Sequence, residues 1–267
     1  MRILICRPDH YDISYKINPW MNPEDNPSQI DTAWVQWERL AHKINHLAEP
    51  VVLDGVEGLP DMVFTANAGL VLKRDDPRTW RHVILSHFKH DERKGEEQYF
   101  KDIFKKQGYS VSEPENHFEG AGDALYLKDT LIGGHGFRTD KDFYEEKADI
   151  LGEVATAKLV DPYFYHLDTC FCPLNDEGDY LIYPPAFDSE SLKTIRQIGR
   201  MEIEVPENEA RQFACNAVVI ENDVILPTGS EETEAQLQGM GFTTHPMMMT
   251  EFIKAGGACK CLTLKLE

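Results

Sequence analysis

The sequence predicts an α/β fold built as a radial or closed repeat, and two observations carry that expectation. Short apolar strands alternate with single amphipathic helices along the whole chain, as where Ala124-Leu125-Tyr126-Leu127 and Thr130-Leu131-Ile132-Gly133-Gly134 precede a helical stretch. This unit of strand, strand, helix and strand recurs about every fifty residues, a spacing typical of propellers and arrays and foreign to a single open sheet. The repeat is one of pattern, without visible identity between the units.

Residues 2–6 read as a strand, and residues 7–9 and 17–23, rich in Pro, Asn and Trp, read as loop, the kind of segment on which sites are built. Ala33, Trp34, Trp37, Leu40, Ala41, Ile44 and Leu47 recur at helical spacing, which predicts an amphipathic helix over 32–48 with its tryptophans in the core. Residues 51–53 read as a strand, and residues 62–72 as a longer one interrupted by small polar residues. A strand at 80–85, a helix at 96–107 and a strand at 109–111 follow. After the hairpin at 124–134 come a helix at 143–151 and a strand at 158–160. The pattern then starts over, with strands at 170–174 and 180–183, a helix at 189–198 and a strand at 201–204. A last hairpin at 217–227, a helix at 231–240 and a strand at 243–245 lead to the final stretch. There Gly256-Gly257 free the backbone to turn or approach a ligand, and alternation from Cys261 to Leu266 predicts a strand with Cys261, Thr263 and Lys265 on one face.

A chain of 267 residues suffices for one large core, and with no linker-like run it predicts a single catalytic domain over residues 1–267. Its formal charge of −19 argues against nucleic acid and anionic membranes as partners, and the sequence leaves a homo-oligomer open. The apolar run from Met1 to Cys6 is too short for a signal peptide and no other run approaches a membrane span, so the expected compartment is the cytoplasm. Six cysteines in so long a chain, four of them in two Cys-x-Cys pairs, do not make a secreted disulfide framework.

Polar residues interrupt the strands at places that suit chemistry. Phe118-Glu119-Gly120-Ala121-Gly122-Asp123 sets two carboxylates among glycines that let backbone and acids crowd a small ligand. Tyr165-His166-Leu167-Asp168-Thr169 reads as opening a strand, in which period two puts an imidazole and a carboxylate on one face. Asn216 sits at the mouth of one strand and Arg138 just past another. A cysteine, a histidine and several carboxylates converging there compose a thiol nucleophile acting on a cationic substrate. The competing reading is zinc, since Cys170, Cys172, Cys259, Cys261 and His166 supply enough soft ligands. Zinc modules usually use a wider Cys-x-x-Cys knuckle, and a metal would leave Asn67 and the glycine-flanked acids without a role.

Phe64-Thr65-Ala66-Asn67-Ala68-Gly69, Phe118 to Asp123, Gly136-Phe137-Arg138-Thr139-Asp140, His166-Leu167-Asp168-Thr169 and the terminal Gly-Gly-x-x-x-Cys-Leu-Thr together resemble the guanidine-modifying, or pentein, superfamily over nearly the whole chain. The resemblance implies a fivefold pseudosymmetric α/β-propeller with a central site. Within it, Ile17-Asn18-Pro19-Trp20-Met21-Asn22 with Phe-Thr-Ala-Asn is most similar to the arginine dihydrolases, which convert arginine to ornithine, carbon dioxide and two ammonia. Those enzymes often carry a second, cofactor-binding domain, which this chain, ending just after its nucleophile, is expected to lack. Carried over, the resemblance makes Cys261 the nucleophile, with the Leu-Thr tail favouring it over Cys259, His166 the general acid and base, and Glu119 the orienter of His166. Asp168 and Asn67, the latter where deiminases have aspartate, would hold the guanidinium, with Asp123 also in the binding set. Arg138, with Arg93 or Lys89, would receive the substrate carboxylate, and Asn22 and Asn216 would line the pocket. Lys260 before the nucleophile departs from the family pattern of His or Arg. No metal or organic cofactor is implied. The alternatives are a deiminase or dimethylarginine hydrolase giving citrulline by the same thiol chemistry, and a non-catalytic binding protein of the same fold.

Overall fold

The structure is a computed structural model that describes residues 1–73 and 80–266. Its described residues form five small sheets of three strands each. In the first, β1 (Arg2–Cys6) and β2 (Glu49–Leu53) run parallel, joined through α1 (Ile30–Leu47). The second holds β3 (Gly69–Val71), β4 (His82–Leu85) and, after α2 (Asp91–Lys106), β5 (Ser110–Ser112). The third holds β6 (Ala124–Leu127), β7 (Thr130–His135) and, after α3 (Asp142–Glu146) and α4 (Ala148–Leu151), β8 (Val154–Lys158). The fourth holds β9 (Phe171–Pro173), β10 (Asp179–Ile182) and, after α5 (Ser189–Ile198), β11 (Met201–Glu204). Past α6 (Glu207–Ala210), the fifth holds β12 (Val218–Ile220), β13 (Asp223–Pro227) and, after α7 (Glu231–Gly239), β14 (Thr243–Met247). Beyond α8 (Thr250–Ile253), β15 (Leu264–Lys265) returns to the first sheet and pairs against β1, Leu4 facing Leu264.

Every sheet has one grammar. Its middle strand pairs antiparallel with one neighbour and parallel with the strand that follows the helix. A parallel partner needs a long crossover, which the helices supply, whereas antiparallel neighbours follow each other directly in the chain in every sheet but the first. The helices form where the apolar stripe demands it: α1 buries Ala33, Trp37, Leu40 and Ile44 and turns its charged residues out. In α5 the Asp188 side chain caps the first turn, accepting from the Ser191 amide at 2.8 Å. Middle strand β10 is buried at all its positions, its apolar run Tyr180-Leu181-Ile182 following Asp179, which pairs with Arg200. No described helix is long and apolar enough to cross a membrane.

The strand expected at 158–160 lies earlier, as β8, and the helix expected at 143–151 is broken into α3 and α4, while four further corrections fall near the site. Residues 62–72 are not one strand but two 3-10 turns, Pro60–Val63 and Thr65–Ala68, ahead of the three-residue β3. Tertiary bonds favour the turns: the Thr65 hydroxyl donates to the Leu4 carbonyl at 3.1 Å and the Ala66 amide to the Cys261 carbonyl at 3.1 Å. His166 does not open a strand, since Leu167–Thr169 is a 3-10 turn, so period two does not govern His166 and Asp168. Cys261 lies in a turn rather than a strand, its backbone tied to Asn216, and β15 starts only at Leu264. Helix α2 starts at Asp91 rather than at 96, which places Arg93 on a helix.

Candidate active site

A small cavity of about 10 Å³, room for roughly one water, lies where turns from several modules meet. Asn18, Asp61, Asn67 and Arg93 stand on its wall with Arg138, His166 and Cys261. Two glycines permit this crowding. Gly120 adopts φ +66°, and a Cβ there would meet the Ala66 carbonyl at 2.8 Å, while a Cβ on Gly122 would collide with the Asn67 amide nitrogen.

Cys261 is 3% exposed, and its thiol lies 3.6 and 3.7 Å from the two carboxylate oxygens of Asp168. The Asn216 amide nitrogen donates to the sulfur at 3.1 Å and to the Asp168 carbonyl at 3.0 Å, and its oxygen accepts from the amides of Ala258 and Cys261, each at 3.1 Å. Burial, reinforced by the Asp168 charge, pushes the thiol well above its ordinary pKa against the Ala258 amide, Lys260 and Asn216. Burial likewise pushes the Asp168 carboxyl up to about 7, against Lys260 and the bonds from Cys261 and Asn216. Asp168 therefore faces the thiol and does not stand on the cavity wall.

His166 Nε2 bonds to Glu119 Oε2 at 2.7 Å, and the same oxygen accepts from Arg138 Nη1 at 2.9 Å. Burial pushes the Glu119 carboxyl up, but Arg138, His166 and Arg93 outweigh it and hold the group well below the usual carboxylate range. Glu119 thus stays ionised and fixes the imidazole. Arg138 also donates to the Ile17 carbonyl at 2.9 Å and lies over the Tyr165 ring, tying the loop of residues 17–21 to the site.

Arg93 grips Glu96 with two nitrogens, each at 2.8 Å, and donates to Asn67 Oδ1 at 3.0 Å. Asn67 in turn donates from Nδ2 to the Glu119 carbonyl at 2.9 Å. These amide assignments follow the hydrogen-bond network.

The structure thus brings together Cys261, His166, Glu119, Asn67, Arg93, Arg138, Asp168 and Asn216. Three expected positions lie elsewhere. Asn22 bonds Asp25 within its own loop at 2.8 Å, because an Asn ahead of a turn captures nearby groups. Asp123 is spent on the Thr139 hydroxyl at 2.7 Å and the Leu167 amide at 3.0 Å, with burial pushing its carboxyl up to about 6, so it braces the His166 turn instead of facing a ligand. Lys89 turns outward to the Phe137 carbonyl. Asn216 lies behind Cys261, not on the cavity wall. Cys259 is fully buried in the apolar core, two residues from Cys261. Among the described residues no three His, Cys, Asp or Glu side chains gather as a metal site would require.

Two wall residues escaped the sequence reading. Asn18, four residues before the expected Asn22, donates to the Ala255 carbonyl at 3.0 Å and to Tyr165. Asp61 is 1% exposed; its Oδ2 accepts from Tyr15 at 3.0 Å, whereas its Oδ1 has no hydrogen-bond partner. The one signal in the sequence was a lone acid, Pro60-Asp61, opening the Phe64-Thr65-Ala66-Asn67 motif.

Known proteins resemble this chain along its length. The family profile of eukaryotic N,N dimethylarginine dimethylhydrolases matches residues 19–267. The bifunctional arginine dihydrolase/ornithine cyclodeaminase ArgZ of Synechocystis sp. is 46% identical over all of this chain, which spans 38% of ArgZ. An N(G),N(G)-dimethylarginine dimethylaminohydrolase of Mycobacterium tuberculosis is 33% identical, with this chain covering 86% of it. The crystal structure of the N-terminal domain of ArgZ bound to product superposes with a TM-score of 0.93 at 45% identity, covering 100% of this chain and 97% of that one.

Proposed function

From the premise that this chain belongs to the N,N dimethylarginine dimethylhydrolase family, we propose that it is an arginine dihydrolase, hydrolysing L-arginine to L-ornithine, carbon dioxide and two ammonia. The observation that carries this choice within the family is Asn67, a neutral amide on the cavity wall held by Arg93 and the Glu119 carbonyl, together with the 46% identity to a protein with dihydrolase activity. We infer that the five sheets close as a fivefold propeller around the site, and that residues 1–267 act as one catalytic domain.

Arginine presents a guanidinium, an ammonium and a carboxylate. Asp61, buried with a free oxygen, suits the ammonium. Arg138 suits the carboxylate. Arg93, already engaged with Glu96 and Asn67, suits the wall beside the guanidinium better than the role of carboxylate receiver. The cavity of about 10 Å³ is smaller than arginine, and we infer that the loop of residues 17–21, tied to Arg138 and Tyr165, opens to admit it.

The thiol rests protonated, because burial and Asp168 disfavour the thiolate. An incoming guanidinium reverses that balance, and Asp168, in contact with the sulfur, takes the proton. The resemblance assigned Asp168 to the guanidinium; its contact with the sulfur suits the thiol proton instead. The thiolate attacks the central carbon, and His166, oriented by Glu119, protonates the departing ammonia. This forms a C–S bond, breaks a C–N bond and leaves a thiouronium. Water then adds, giving its proton to His166, and the resulting adduct has two exits. Expulsion of the thiolate yields citrulline. Expulsion of a second ammonia yields a thiocarbamate, which a second water converts to free thiol and the carbamic acid of ornithine, and that acid loses carbon dioxide.

Incubation of the purified protein with L-arginine, with ornithine, citrulline and ammonia all quantified, tests the reading. Ornithine with two ammonia per arginine is expected. Citrulline alone would make it a deiminase, turnover only of methylated arginine a dimethylarginine hydrolase, and binding without turnover a non-catalytic protein.

A further inference from the structure

Resting on the dihydrolase reading, we propose that Glu96 is a positioning residue for product choice, acting through Arg93 on the Asn67 amide and so on which bond of the water adduct breaks. Glu96 lies on α2, is 0% exposed and does not stand on the cavity wall. Both its oxygens accept from Arg93, three residues earlier, at 2.8 Å from Nε and 2.8 Å from Nη2. A guanidinium is planar and its donors form a rigid fork, so this two-point grip fixes the plane of the whole group. Nη2 also donates to the Asp61 carbonyl at 3.2 Å, and Nη1 is left facing Asn67 Oδ1 at 3.0 Å.

The consequence is an amide that cannot turn over. Its oxygen is held by a cation and its nitrogen by the Glu119 carbonyl at 2.9 Å. Gly122, with no Cβ, leaves that nitrogen its place. Because Arg93 draws electron density from Oδ1, the amide accepts only weakly from a substrate nitrogen, and a weakly held nitrogen departs as ammonia before the thiolate does. A loosened Arg93 frees Oδ1 to hold that nitrogen, and the adduct expels the thiolate. A buried ion pair seldom adds net stability, and fixing one geometry is the better attested use of it. Burial pushes the Glu96 carboxyl up to about 7, against Arg93, as expected of an acid with no access to water.

The experiment is the ornithine to citrulline ratio at matched conversion of L-arginine by the full chain. Glu96→Gln keeps the shape but weakens the grip on Arg93, and the ratio falls about tenfold, the size expected for one charged hydrogen bond. Glu96→Asp, which keeps the charge, recovers part of the ratio. A folded Glu96→Gln variant with an unchanged ratio overturns the relay, since a merely structural role would lower total rate or melting temperature and leave product choice alone. Should Glu96→Gln not fold, Arg93→Lys takes its place: it keeps the positive charge without the fork, and an unchanged ratio there overturns the relay equally. Unaltered protein that makes no ornithine would overturn the dihydrolase reading beneath the proposal, a result distinct from variants that leave the ratio of an ornithine producer untouched.

Discussion

Asn216 holds Cys261 at two points at once, donating to its sulfur at 3.1 Å and accepting from its backbone amide at 3.1 Å. A thiol in a turn would otherwise be free to swing with the backbone. Here one amide fixes both the sulfur and the peptide that carries it, and the same oxygen also accepts from Ala258. The sulfur is thus held in place before substrate arrives.

Cys261→Ser is expected to lower turnover of arginine by about a thousandfold or more, because an alkoxide is far harder to form than a thiolate in so buried a place. Cys259→Ser should retain activity, since Cys259 faces apolar core, and lose only stability, about 1–3 kcal/mol for a buried hydroxyl. Steady-state rates of the two variants decide it; an active Cys261→Ser protein beside an inactive Cys259→Ser protein would reverse the assignment.

Asn67→Asp should shift product from ornithine toward citrulline. A carboxylate there has no N–H for the Glu119 carbonyl and sets oxygen against oxygen, while its charge grips the guanidinium harder. The ornithine to citrulline ratio is expected to fall about tenfold or more. An unchanged ratio in a folded, active variant would move product choice to other residues, Lys260 first.

Asp61→Asn should raise KM for arginine roughly ten- to a hundredfold, the worth of one charged hydrogen bond, with a smaller effect on kcat. A guanidino acid lacking the α-amino group should discriminate little between the two proteins. If both substrates lose equally, Asp61 acts on the guanidinium or on loop closure through Tyr15 instead.

The Asp168 carboxyl, pushed up to about 7 from an ordinary 3.8, makes stability depend on pH. Between those values the folded protein keeps a proton that the unfolded chain has lost, so the contribution is whole below the lower value and disappears as pH rises through the upper one. Asp168→Asn should therefore gain on the unaltered protein from pH 4 to pH 8, by on the order of 1 kcal/mol or more. Denaturant unfolding across that range gives the difference, and a pH-independent offset between the two proteins would refute the buried proton.

Much of the fold could be read from apolar periodicity alone, because each sheet buries most of its middle strand and a helix such as α1 buries one stripe, with Ala33, Trp37, Leu40 and Ile44. The site was legible where a motif carried it, as with Cys261, His166 and Glu119, and illegible where long-range bonds decide. Nothing in Pro60-Asp61 announces that one carboxylate oxygen will be left free, and nothing near Asn22 says that Asn18 will be the residue on the wall. Strand parity failed at His166 and Cys261 because both sit in turns held by distant partners, Glu119 and Asn216. Asp123 looked like a ligand because a Gly-Asp sequence is the same whether the acid meets solvent, substrate or a hydroxyl such as that of Thr139.

The pairing of β1 with β15 has a consequence in time. Arg2–Cys6 is synthesised about 260 residues before its antiparallel partner, Leu264–Lys265, an interval that at ordinary elongation rates is tens of seconds. Until then the apolar edge of β1 has only β2 beside it, so the nascent first module is an exposed template that a chaperone or a neighbouring chain can occupy. Cys261 lies just ahead of β15, so the strand that completes this sheet also brings the thiol to its place, and a stalled or truncated chain would be both aggregation-prone and inert.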